Sequence, residues 1–247
     1  MIYNYKDWIS RSPPTVRTAN KIFRKIYGNR GLTLPTNNNK KKVNNRQTLK
    51  FQRKRGVFAR VADLDYSKFY PNIVMGLGLN PSNDTIGAYQ FLLKSIIPHT
   101  DDENVKFFVT LLCSGWLNCE EFVFLDSEMH RKVLTYGKSI MRQTINIMDS
   151  NDKFEVLSVN TDGVYVRTLE KTNIQRHFKE LADKINGKIN VPFLRIRVKQ
   201  VLTQFYTKDV NTSWNFNSYS GQFQIRRMGD MWHHLDIRHN NMEEDFE

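Results

Sequence analysis

The first sixty residues hold one acidic side chain, Asp7, against sixteen lysines and arginines. The remainder, with 21 basic and 24 acidic residues, is close to neutral, so the net charge of +12 belongs to the N-terminal segment. Such asymmetry suits an arm that meets a polyanion, nucleic acid foremost, with a solubilising tail as the plainer alternative. Cysteine is scarce: Cys113 and Cys119 lack metal-type spacing, which excludes a cysteine zinc centre or a disulfide framework and predicts free thiols in a reducing setting. No apolar run reaches the roughly 18 residues of a membrane span, and the start, MIYNYKDWIS, lacks the apolar stretch of a secretory signal. A soluble, intracellular protein with no membrane partner is expected. No internal repeat is visible.

The chain does have core-forming residues in quantity. Of 247 residues, 40% are hydrophobic, and 16 Phe and 10 Tyr exclude a broadly disordered chain. PTVRTANKIFRKIYGN reads as a short basic helix with Val16, Ile22, Phe23 and Ile26 on one stripe and Gly28 at its end. Residues 34–50 are Asn/Lys-rich and predict a charged linker. GVFARVADLDY reads as a buried strand, followed by a short helical stretch that breaks at glycines. Helices are predicted over 84–97, from VKFF to about Leu117 after an Asp/Asn cap in HTDDEN, and through EMHRKVLTYGKSIMRQTINIM. FEVLSVN and GVYVRTL read as strands joined by Asn160-Thr161-Asp162-Gly163. TNIQRHFKELADKIN is amphipathic, with Ile174, Phe178, Leu181 and Ile185 on one face, and FLRIRVKQVLTQFYT reads as one or two strands. This order predicts an α+β domain with helices on one side of an antiparallel sheet.

Asp65 and Asp162 each end a strand-like run. Two carboxylates brought together suit Mg²⁺, a hard cation that keeps waters and substrate phosphates in its shell, and two such ions would serve an attacking and a leaving oxygen. The Asn-Thr-Asp-Gly turn exposes its side chains, and Gly163 admits close backbone approach; alone, such a turn is an ordinary hairpin signal. Asp63, two residues before Asp65, reads either as a supporting acid or as a solvated strand-end acid.

The two acids sit in recognisable settings. Asp65-Tyr66-Ser67-Lys68-Phe69-Tyr70-Pro71-Asn72-Ile73 resembles motif A of the family B DNA polymerases, D-x-x-S-L-Y-P-S-I, and residues 158–166, SVNTDGVYV, resemble motif C, Y-G-D-T-D-S-V-F-V. Between them, residues 106–114, KFFVTLLCS, resemble K-x-x-x-N-S-x-Y-G with Lys106 firm. Thr135-Tyr136-Gly137-Lys138 resembles the T-x-x-G-R that follows. Phe205-Tyr206-Thr207-Lys208-Asp209-Val210-Asn211 resembles the lysine-bearing segment before the thumb.

The resemblance implies a DNA-directed DNA polymerase subunit that joins a dNTP to a primer 3′-OH. Asp65 and Asp162 would be the catalytic ligands of two Mg²⁺ ions, with Mn²⁺ as a substitute. Ser67, Lys68, Phe69 and Tyr70 would cradle the nucleotide, and Lys106, with Thr110 one turn on, would face its triphosphate. Lys208 would hold the primer, beside Thr161 and Gly163, while Lys40, Lys41, Lys42, Arg53, Lys54 and Arg55 would meet DNA phosphates or an acidic partner face.

Several features depart from the family. Asn160 replaces the first motif C acid. Only 40 residues separate Asp65 from Lys106, and residues 61–130 contain no arginine, leaving Lys94 as the other helical base. No exonuclease region precedes motif A; Asp126-Ser127-Glu128 reads as a helix-start acid pair. The implied organisation is a basic N-terminal arm and linker (1–56), a first palm segment (57–80), shortened fingers (81–140), a second palm segment (141–210) and a thumb start or tail (211–247). Exonuclease or thumb modules would sit on a partner chain, as in split bacteriophage polymerases. The alternatives are a catalytically degenerate palm that binds DNA or a partner, and a metal-dependent nuclease, which the lack of a third clustered acid or a general-base histidine disfavours. His233, His234, Asp236 and His239 read as metal ligands or, more simply, as a polar tail. Trp214 and Tyr219 read as base-stacking or core aromatics.

Overall fold

One antiparallel sheet gathers the strand-like runs. Its strands are β1 (Phe51–Gln52), β2 (Gly56–Tyr66), β3 (Phe154–Val159), β4 (Gly163–Thr168), β5 (Ile196–Asp209), β6 (Thr212–Asn217), β7 (Gln222–Arg226) and β8 (His233–Leu235). Their order is β1-β3-β4-β2-β5-β6-β7-β8, with every ladder antiparallel. The computed structural model describes residues 4–35 and 49–209, with the strand segments 212–217, 222–226 and 233–235. They divide into two units. The sheet unit draws on Leu49–Tyr66, Met141–Ile189 and Ile196–Glu247, and a helical unit on Met1–Thr48, Ser67–Ile140 and Asn190–Arg195.

In the sheet unit β2 is central, hydrogen-bonded to β4 on one edge and β5 on the other, which is why its apolar run is nearly continuous. Pleating separates its side chains into two sets. Val61, Asp63 and Asp65 share a face with their partners Leu202, Tyr165 and Gly163. On that face Phe58, Val61, Leu157, Tyr165, Leu202 and Phe205 form a buried cluster, with the Tyr165 and Phe205 rings stacked at 4.3 Å. Ala62, Leu64 and Tyr66 belong to the other face, with Val166, Val164 and Ile196 opposite. The helices pack there. In α7 (Ile174–Lys188) the stripe Phe178, Leu181 and Ile185 is buried, and Phe178 meets Phe154 at 5.9 Å. Tyr66 Oη lies 2.6 Å from Thr144 Oγ1, on the second half of the long helix Ser127–Asp149. The arrangement is an α+β fold with helices on one side of the sheet, as the element order predicts.

The helical unit contains α1 (Tyr5–Ser10), α2 (Val16–Gly28), α3 (Phe69–Gly76), α4 (Ala88–Ile96), α5 (Glu103–Cys113) and the first half of α6 (Ser127–Asp149). Residues of the basic N-terminal segment join its core: Ile22, Phe23, Ile26 and Tyr27 pack with Tyr89, Leu92, Phe108, Phe122 and Phe124. Phe23 meets Phe124 edge-on at 4.7 Å. Burying each such aromatic contributes about 2–3 kcal/mol. Two helix starts follow cap chemistry. Asp102 accepts from Asn104 N and Val105 N to open α5, and Asp126 accepts from Met129 N at 2.8 Å to open α6.

The helix expected from residue 84 begins at Ala88 instead. Asp84 is buried; its carboxylate accepts from the Tyr27 hydroxyl at 2.9 Å and from Ala88 N and Tyr89 N at 3.0 and 2.8 Å. An acid whose oxygens satisfy the orphan amides of a helix start sits before that helix, not in it. In the same unit the segment Asn190–Arg195 is fastened to α3. Asn72 donates to Ser67 O and Phe193 O at 2.8 and 3.1 Å, and a methyl on Gly76 would lie 2.7 Å from Pro192 O.

Candidate active site

The turn between β3 and β4 and the end of β2 bring the two predicted acids together in the sheet unit. Asn160 N donates to Gly163 O at 2.8 Å, closing the turn. Asp65 pairs with Gly163 across the β2–β4 ladder, and Tyr66 N donates to Asp162 O at 2.9 Å. The main chain of Asp162 is thus tied to the residue that follows Asp65. Both acids are half-buried, so neither is sealed from water nor fully hydrated.

The electrostatics follow from that placement. The Asp65 carboxyl is pushed up to about 7, first by burial, then by the negative charge of Asp162 and of Asp63; Lys199 and Arg197 pull the other way. Two like charges near a half-buried carboxyl disfavour its ionised form, and a cation placed among them would reverse the shift. Asp63 is not the solvated strand-end acid that the sequence suggested. It is only 6% exposed, and its Oδ2 lies 3.9 Å from Lys199 Nζ. A β-bulge between Asp63 and Leu64 against β5 sets this local geometry.

Gly163 has a sharper constraint than turn chemistry suggests. A methyl there would lie 3.1 Å from Leu64 O and 3.2 Å from Asp65 Oδ1. The space that the missing side chain leaves is taken by the Asp65 carboxylate itself. Thr161 is half-buried in the turn.

The remaining predicted residues are placed as follows. In the helical unit, Ser67 N donates to Arg195 O at 3.2 Å. Lys68 has a left-handed backbone (φ 51°) and donates to Ile97 O at 2.9 Å. Phe69 is buried and Tyr70 half-buried, their ring centroids 5.3 Å apart. Both rings lie against Gly137 of α6, where a methyl would sit 3.0 Å from Phe69 Cε1 and 3.3 Å from Tyr70 Cε1. Lys106 and Thr110 lie one turn apart on the exposed side of α5; Lys106 Nζ is 3.2 Å from Glu103 Oε1, and Thr110 Oγ1 donates to Lys106 O. Lys94 is exposed on α4.

In the sheet unit, Arg53 makes a bidentate pair with Asp149 at 2.6 and 2.8 Å, and Lys54 pairs with Glu155. Arg55 is exposed. Sequence reading missed those acidic partners because each lies about a hundred residues away along the chain. Lys40, Lys41, Lys42, Tyr219, Asp236 and His239 lie outside the described residues, as do the side chains of Lys208, Trp214, His233 and His234. Among the described residues no group of three or more His, Cys, Asp or Glu side chains is arranged to hold a metal. Both cysteines are free, Cys113 buried and Cys119 half-buried, and no described helix is long and apolar enough to cross a membrane.

No family model matches the chain, and no curated protein matches it. Among solved structures 113 chains match. One is the structure of the family B DNA polymerase from the hyperthermophilic archaeon Pyrobaculum calidifontis, with a TM-score of 0.60 and 15% identity over 87% of this chain and 33% of that one. This chain therefore spans about a third of that polymerase. At 15% identity the likeness is one of fold: the chain has a distant family B polymerase-like, palm-like α+β fold.

Proposed function

We propose that this chain is a palm with shortened fingers that catalyses DNA-templated transfer of a dNTP to a primer 3′-OH. The observation that carries the proposal is the pairing of Asp65 with Gly163, which sets Asp162 next to it and leaves both carboxylates half-buried. The donor set fits Mg²⁺: two carboxylates, with no third ligating side chain grouped with them among the described residues, match an ion held by one or two carboxylates plus substrate phosphates. Asp65 and Asp162 would hold it, and when bound it would neutralise charge developing on the phosphoryl oxygens.

The other roles follow the motifs. Ser67, Lys68, Phe69 and Tyr70 would line the nucleotide, with Tyr70 fixed by its packing on Gly137. Lys106 and Thr110, both exposed on α5, would face the triphosphate; the Lys106–Glu103 pair is exposed and so would yield at little cost to a phosphate. Thr161, Gly163 and Lys208 would flank the primer end. Lys40, Lys41, Lys42, Arg53, Lys54 and Arg55 would add sequence-independent affinity for DNA. Exonuclease and thumb functions would be supplied by a partner chain.

A second reading, a palm that binds DNA or a partner without chemistry, is favoured by one observation: Asn160 stands at the turn where a further carboxylate would complete an acidic trio. Primer extension separates the two. The natively purified protein, with whatever chains accompany it, is given primer–template, dNTPs and Mg²⁺. The proposal expects Mg²⁺-dependent extension that falls at least a hundredfold in Asp65→Asn and in Asp162→Asn. Retained DNA binding with no incorporation in any assembly supports the second reading.

A further inference from the structure

Residue 197 lies directly across β2's other edge from the acid pair. Asp65 has two cross-strand partners, Gly163 on β4 and Arg197 on β5. Directly opposed residues of an antiparallel ladder share a face, so Gly163, Asp65 and Arg197 run in that order across β4, β2 and β5, with Asp162 in the turn that leads into Gly163. Arg197 is exposed; its charge acts on Asp65, and its guanidinium is in no hydrogen bond or close ion pair among the described residues. Its neighbours on the sheet differ: Arg53 is engaged by Asp149, Arg167 by Glu155 and Lys199 by Asp63. Flanking residues Ile196 and Val198 alternate inward, which fixes the backbone from which the arginine projects.

We propose that Arg197 binds a phosphate group of the ligand held at the Asp65–Asp162 pair, acting from the β5 side as a forked guanidinium donor. The inference rests on the polymerase reading for the ligand's class, a nucleotide or a nucleic-acid strand, and adds a residue that no motif supplied. The chemistry is complementary. Asp65 and Asp162 would hold a metal that offsets phosphate charge, while the guanidinium, with two parallel N–H donors, would take phosphate oxygens in a forked pair.

Two phosphate sources share this chemistry, the polyphosphate of a free nucleotide and the backbone of a DNA strand. The natively purified protein and its Arg197→Gln and Arg197→Lys variants would be titrated by fluorescence anisotropy in Mg²⁺. One arm uses a labelled dNTP, the other a labelled primer–template at several salt concentrations. The proposal expects Arg197→Gln to weaken one arm about tenfold, with Arg197→Lys recovering some of the loss. If the ligand is the strand, the slope of log K against log salt also shrinks by about one; if the nucleotide, the DNA arm is unchanged. Unchanged titrations in both arms, or wild-type protein that binds neither probe, overturn the proposal. Primer extension by the same preparation tests the polymerase reading separately: a tenfold binding loss without any extension in wild type leaves the arginine's role standing while the activity falls. Melts are compared near pH 4, where the Asp65 carboxyl on which Arg197 acts is protonated; there the variants of this exposed arginine keep the wild-type melting temperature, and a lowered one would assign it a structural role instead.

Discussion

Asp65 and Gly163 face each other across the β2–β4 ladder so closely that a methyl on Gly163 would come 3.2 Å from Asp65 Oδ1. One residue's missing side chain is the other's carboxylate site, and the acid of the neighbouring turn is brought into electrostatic range by the same pairing.

Gly163→Ala therefore overpacks the site from two sides, Leu64 O at 3.1 Å and the Asp65 carboxylate. The expected cost is about 1–3 kcal/mol in urea titrations. In an Asp65→Ala background one of the two contacts is gone, so the same substitution costs less. A double-mutant cycle measures the difference, and strict additivity would contradict the described contact.

The raised Asp65 carboxyl sets a pH dependence. Below pH about 4 the group is protonated in both folded and unfolded chains and contributes no penalty. From there to about 7 the unfolded chain gives up its proton first, so the stability of the metal-free protein falls with rising pH and the full penalty is present above 7. Asp65→Asn, which cannot ionise, is expected to be more stable than wild type at pH 8 by on the order of 2 kcal/mol, the gain vanishing near pH 4. Because a metal needs the ionised carboxylate, Mg²⁺ binding to wild type should tighten with pH up to about 7 and then level off. Thermal melts and Mg²⁺ titrations across pH 4–9 check both.

Asp84 joins α2 to the start of α4 through the Tyr27 hydroxyl and the amides of Ala88 and Tyr89. In Asp84→Asn an amide NH₂ must face at least one of these donors, leaving it unsatisfied in a buried site. A loss of about 2–3 kcal/mol in the urea midpoint is expected. Tyr27→Phe, which leaves the carboxylate its backbone partners, should cost about 1 kcal/mol.

The elements were legible where local chemistry decides them. The stripe Phe178, Leu181 and Ile185 marks α7, Asp102 marks the start of α5, and the β-rich runs flanking Asn160–Gly163 mark a hairpin. The acids at 65 and 162 stood out because each ends such a run. What stayed hidden depends on partners far along the chain. Asp63 looked solvated because nothing local shows that β4 and β5 enclose it with Lys199 nearby. Arg53 and Lys54 looked free because Asp149 and Glu155 are distant in sequence. Asp84 resembled a helix residue until its amide and Tyr27 partners showed it to be a buried cap, and the demand on Gly163 comes from a side chain on another strand.

The central claim is that Asp65 and Asp162 together hold a divalent cation. Mn²⁺ titration of the natively purified protein, read by electron paramagnetic resonance in the presence of a dNTP, tests it most directly. The account predicts saturable binding in wild type that weakens at least tenfold in Asp65→Asn and likewise in Asp162→Asn, each variant melting no lower than wild type. Mn²⁺ bound equally tightly by wild type and both variants would contradict it.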